Sequence, residues 1–157
     1  MSAFSGSEKV TQALEAIAKK MADGHVEVGF MEGATYPDGE SVPGVAYKNE
    51  FGDPANHQPP RPFFRRMIAK EASSWPGKVA KLAKATDYDG PRVMAIMGED
   101  IGAALVQSIR DLTDPPLAKK TIELKGFDKP LIDTGVMMRA VTYRVDDGEK
   151  KPIQGGS

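Results

Sequence analysis

Apolar residues return at three- and four-residue steps between about residues 7 and 22, at Val10, Leu14, Ile17, Ala18 and Met21. That spacing predicts an amphipathic helix, with Lys19 and Lys20 beside its C-terminal dipole and Gly24 to stop it. The period then shortens to two. Val26, Val28 and Phe30 share one face of a predicted strand that opens at His25. From Gly33 to Gly44 the chain is polar and glycine-rich, and Pro37-Asp38-Gly39 marks an exposed loop or hairpin tip. Val45 to Phe51 reads as two helical turns ended by Gly52. Pro54, Pro59, Pro60 and Pro62 then forbid a helix and predict a rigid connector.

A helix is expected to open at Phe63, carrying Phe64, Met67 and Ile68 with Arg65, Arg66 and Lys70, and to be interrupted at Trp75-Pro76-Gly77. Val79, Leu82 and Ala83 lie opposite Lys78, Lys81 and Lys84 in a second amphipathic pattern. After a linker at 87–91, the longest predicted helix runs from about 91 to 112. Its stripe is Met94, Met97, Ile101, Leu105, Ile109 and Leu112, and Gly98 and Gly102 give room for another element to approach. Thr113 to Pro116 end it, and residues 117–125 read as a short helical or extended piece. From Lys129 the reading is an extended approach and a turn at Asp133-Thr134-Gly135. A strand from Arg139 to Val145 follows, with Val141, Tyr143 and Val145 on one face. Residues 146–157 lack periodicity and are expected to be a flexible tail.

At 157 residues the chain suits one domain, taken as 1–145 plus the tail, with ordinary hydrophobic (40%) and charged (27%) content. A formal net charge of -1 argues against wholesale charge-driven binding to nucleic acid or membrane. Cysteine is absent and only His25 and His57 represent histidine, which removes disulfides, thiolate metal sites and most histidine-based catalysis. No apolar run approaches a membrane span and the first residues do not resemble a signal peptide, so the protein is expected to stay where it is made. Charge is nevertheless segregated. Residues 25–53 hold six acids against Lys48, and residues 61–84 hold seven bases against Glu71. Two solvated faces are one reading of this pattern, and head-to-tail attraction between copies is the other.

No constellation of an ordinary active site is present, so no catalytic, cofactor-binding or metal-ligating residue is assigned. Asp133-Thr134-Gly135 matches the triplet of retroviral-type aspartic proteases, which would use Asp133 in a dimer. In those enzymes the triplet comes early and most of a β-barrel follows it. Here Val136 follows and too little chain remains. The basic 61–84 segment offers phosphates its cations, and Phe63, Phe64 and Trp75 offer bases a stacking surface; the opposing reading is a helix pair with buried aromatics.

Four pieces in order resemble the neck and tail-completion proteins of tailed bacteriophages, also called virion morphogenesis or minor tail proteins. They are Val26 to Phe30 followed by Tyr36 to Gly39; Ala46 to Gly52 followed by Pro59 to Arg65; Pro115 to Lys125; and Pro130 to Met137 with its closing strand. The resemblance spans about residues 8–145. It implies an α+β fold, a small and mostly antiparallel sheet packed against two or three amphipathic helices with extended loops. It also implies a structural role in a ring at the neck, joining head to tail. The expected partners are copies of the chain, adjacent neck, connector or tail-tube proteins and passing DNA, with no membrane. The expected place is the virion, after synthesis in the host cytoplasm. Glu50, Phe51, Arg61 and Phe63 would then shape the junction between sheet and helices. The 33–44 loop, with Tyr36 and Asp38, and the polar tail would reach neighbours as arms. Arg65 and Arg66 would form a basic interface whose charge reversal blocks assembly without unfolding the chain.

Overall fold

The central strand is the most buried segment of the chain. In the computed structural model, which describes residues 3–21, 24–112, 129–145 and 150–152, three strands form one antiparallel sheet. Its order is β1 (Val26–Phe30), β2 (Val141–Val145) and β3 (Lys150–Pro152). Val26 pairs with Val145, Val28 with Tyr143 and Phe30 with Val141. The two-residue period therefore sets all six of these apolar side chains on one face. The architecture is α+β, with a small antiparallel sheet beside helices.

That face is covered by the long helix α5 (Gly90–Asp111, in chain order after α1, Ala3–Met21; α2, Val42–Phe51; α3, Phe63–Glu71; and α4, Trp75–Ala85). Asp89 caps it, its side chain accepting from the Arg92 amide, and Pro91 occupies the first turn, where its missing N–H is no loss. Met97, Leu105 and Ile109 of the expected stripe are buried, Met94, Ile101 and Leu112 are half-buried, and Val93, outside that stripe, is buried as well. Gly98 is the close approach: a Cβ there would lie 2.6 Å from the Tyr143 ring and 3.0 Å from Val26 Cγ2. The core continues through Tyr36, Val42, Phe63, Met67, Met137 and Val141.

Four local expectations are corrected. Residues Lys129–Arg139 form a helix, α6, so Asp133-Thr134-Gly135 lies within a helix rather than at a turn after an extended approach. Pro130 stands in its first turn, and Thr134, Met137 and Ala140 recur at three-residue steps and are buried. Burial on that face outweighs the roughly 1 kcal/mol that a mid-helix glycine costs. The break expected at Trp75-Pro76-Gly77 falls earlier, at a 3-10 turn over Ala72–Ser74, because Pro76 fits the first turn of α4. The 33–44 segment is a hairpin folded onto the body, not an extended arm. Thr35 bridges Ser41, the Tyr36 amide donates to Glu40 O at 2.9 Å, and α2 begins within the segment, at Val42. Of the stretch expected to be a tail, Lys150–Pro152 pair with β2. The pieces expected at 113–125, and the remainder of the tail, lie outside the described residues.

Candidate functional site: an aromatic shelf at the junction of two helices

Ser41 starts α2 by accepting from the Gly44 amide at 3.2 Å, with Pro43 in the first turn. Two rows of side chains then run along this ten-residue helix at four-residue steps. Val42, Ala46 and Glu50 point inward and are buried. Tyr47 and Phe51 point outward, 65% and 53% exposed, with ring centroids 4.8 Å apart. A core needs only the first row, so the second leaves a large apolar surface in water.

Gly52 ends α2 at φ 83°, and a Cβ there would lie 2.9 Å from Gln58 O. Only glycine meets both conditions without strain. The connector then folds tightly on itself: Asp53 and Gln58 exchange backbone bonds, and Gln58 Nε2 donates to Asn49 Oδ1 at 3.0 Å. Asn56 Nδ2, 2.7 Å from Asp53 Oδ2, holds that carboxyl below its usual range, against some desolvation and with help from Lys48. The Arg61 amide donates to Asn49 O at 2.6 Å, and its guanidinium donates to Leu112 O at 3.1 Å, just past the end of α5.

This connector delivers Phe63 into the core, 1% exposed, edge-on to Phe30 with centroids 6.0 Å apart. Ser108 Oγ donates to Phe63 O at 2.6 Å. The residue before α3 is Pro62, which has no side-chain acceptor to offer the helix amides. Glu50 supplies it from α2. Its Oε2 accepts from the Phe64 amide at 2.8 Å, and its Oε1 from the Arg65 amide at 3.1 Å and from Arg65 Nε at 2.8 Å. The Glu50 side chain is 7% exposed and that of Arg65 57%. A buried anion thus sits on the positive end of a helix, closed over by a guanidinium. The same guanidinium donates to Glu50 O at 2.8 Å and lies 5.1 Å above the Phe51 ring.

Between the two helices is an open groove of about 290 Å³. Its walls include Pro43, Ala46, Tyr47, Phe51, Phe63 and Phe64, with Glu50 and Arg65 at one side. A second groove, of about 370 Å³, adjoins it across Phe30 and Pro43, on the other face of the sheet. Gly29, Thr142 and the cross-strand pair Glu27–Arg144 line that second groove.

Of the residues expected at an interface, the structure gathers Glu50, Phe51, Phe63 and Arg65 around one groove. Two of the expected residues, Tyr36 and Phe63, are 4% and 1% exposed and support the surface from beneath. Asp38 stays at the exposed hairpin tip, its Oδ1 accepting from the Glu40 amide. Arg61 holds the connector to α5. The neighbours Arg65 and Arg66 differ in setting: Arg65 is bound to Glu50, while Arg66 is exposed and makes no ion pair among the described residues. Sequence reasoning missed Pro43 and Tyr47, and weighed Phe64 only as a surface on which bases could stack. The signal available was the second apolar row, Tyr47 and Phe51, on a helix already provided with a core face.

Among the described residues, no three His, Cys, Asp or Glu side chains come together as metal ligands, and no helix is long and apolar enough to cross a membrane. No protein-family model, curated protein or solved structure matches the chain.

Proposed function

We propose that the chain is a structural subunit of a tailed-phage neck, a tail-completion or head–tail joining protein that acts by fitting beside copies of itself. The observation that supports this most is the aromatic shelf: Tyr47 and Phe51 stand in solvent on a backbone fixed by the Glu50 cap. Rigid aromatic residues over a preorganised base are what protein–protein contacts use as anchors. The shelf lies in the piece of sequence, Ala46 to Arg65, that carries the most specific part of the phage resemblance. The test is electron microscopy of lysates lacking this protein. Filled heads separated from finished tails are expected. Normal joined particles would remove the proposal.

A DNA-contacting role is supported by a different feature. Arg66 and Lys70, one turn apart on α3, and Lys81 and Lys84 on α4 are exposed and make no ion pair among the described residues. Lys78 is committed to Asp100 at 2.8 Å, and that carboxylate raises its pKa. Phe63 is buried and Trp75 half-buried, so contact would go through phosphates, with binding that weakens steeply as salt rises. The protease reading gains nothing comparable, since its triplet lies inside α6 and not on a presenting loop.

A further inference from the structure

Among the described residues, nothing covers the outer part of the apolar stripe of the first helix. Every residue of α1 from Gly6 to Ala16 is exposed, including Val10 at 59% and Leu14 at 60%, and Ile17 continues the stripe. Its last turn is where it meets the body: Met21 packs against the small cluster of Ala83, Val93 and Met97, and Lys20 Nζ meets Asp87 Oδ2 at 3.4 Å. By helix rise, Val10 stands about 16 Å along the axis from that anchor. A water-exposed helix of this length is marginal alone, and its amphipathic pattern is that of a helix built to be covered on one side.

The aromatic groove lies at the opposite end of α5. Its floor, Phe63, is tied to Ser108, whereas α1 is anchored beside Val93. Those two positions are about 22 Å apart along the helix. The same chain therefore carries a convex apolar ridge at one end and a concave apolar groove at the other, and its own ridge does not lie in its own groove. Charge does not oppose the match: residues 6–21 carry a net +1, Lys9, Lys19 and Lys20 against Glu8 and Glu15, and the two charged residues at the groove, Glu50 and Arg65, neutralise each other.

We infer that α1 of one copy lays Val10, Leu14 and Ile17 into the groove walled by Pro43, Tyr47, Phe51 and Phe64 of the next copy. This rests on the self-assembly reading above and specifies its contact. The spacing i, i+4, i+7 is that of a helix seated in a groove. Because ridge and groove are different surfaces, the contact is head-to-tail and repeats from copy to copy, closing into a ring when the rotation allows. One such contact is small beside the ~1,600 Å² of a standard stable interface, so assembly depends on concentration and on closure.

The full chain is tested by sedimentation velocity over a wide concentration range, alone and as Leu14→Glu and Phe51→Glu. Both side chains are exposed, so folding, checked by circular dichroism, is expected to persist. Each variant alone should raise the concentration needed for assembly by about tenfold or more. Mixed together they should form a 1:1 heterodimer and stop there, because one copy keeps its groove and the other its ridge. The natural absence of cysteine permits a direct check: Leu14→Cys with Phe51→Cys in one chain should oxidise to a ladder of covalent oligomers, while either alone should not. Assembly that persists unchanged in both variants, or efficient disulfide dimers from Leu14→Cys alone, overturns the contact while leaving self-assembly standing. A wild-type chain that stays monomeric throughout overturns both.

Discussion

Replacing Glu50 by alanine removes the acceptor for the first amides of α3. Three bonds to its carboxylate are lost, two from backbone N–H groups at 2.8 and 3.1 Å and one from Arg65 Nε at 2.8 Å. Helix-capping acceptors are worth about 1 kcal/mol per amide served, with up to about 2 where the site is buried. The guanidinium is more than half exposed and rehydrates, so its share is about 1 kcal/mol or less. Glu50→Ala should therefore cost about 2–4 kcal/mol, and Arg65→Ala about 1 kcal/mol or less. Glu50→Gln should fall between them, because its amide NH₂ group turns a donor toward other donors. Urea denaturation with unchanged slopes measures all three. The double variant separates the two ideas: in the Arg65→Ala background, Glu50→Ala should still cost about 2 kcal/mol, since the two backbone amides remain unserved. If that residual cost vanishes, Glu50 is merely an ion-pair partner and the capping argument is wrong.

The remaining predictions concern packing and charge. Gly98→Ala gains about 1 kcal/mol of helix propensity but forces a Cβ to 2.6 Å from the Tyr143 ring, so a net loss of stability is expected in denaturant melts. An unchanged or raised midpoint would mean that α5 stands off β2. Tyr143 has its phenol pKa raised, first by burial and then by Glu99, whose Oε1 lies 3.4 Å from the hydroxyl. The folded state thus favours the neutral phenol. The resulting stability is fully present below the unfolded value of about 10 and is lost as pH climbs through the higher folded value. Urea midpoints followed from pH 8 upward should fall less steeply in Tyr143→Phe than in the wild type. Arg66→Glu should leave stability within about 0.5 kcal/mol, whereas Arg65→Glu should destabilise by more than Arg65→Ala because it sets a second carboxylate against Glu50. Equal melts for the two reversals would contradict the distinct roles assigned to these neighbours.

Much of the secondary structure was legible because it is encoded by local period. Met97, Leu105 and Ile109 point one way on any helix, and Val141, Tyr143 and Val145 point one way on any strand. The close approach at Gly98 was also readable, as a residue without a side chain inside a long apolar stripe. Of the junction, the sequence indicated the segment, 46–65, but misjudged which way several side chains face. Tyr36 looked like part of a polar tip, and it is buried because the hairpin folds back onto the core.

What lay beyond the sequence is whatever depends on distant partners. Asp133-Thr134-Gly135 has turn chemistry, and the buried face of α6 overrides it. A glutamate fourteen residues before Phe64 gives no local sign that it caps another helix. Amphipathic spacing in α1 announces a helix with an apolar side but is silent on whether anything covers that side. Period is a property of the backbone alone, and the chain carries it in its own order of residues. Burial belongs to pairs of surfaces, so the covered sheet, the capped α3, the bare ridge of α1 and the open aromatic groove were settled only when the helices and strands met.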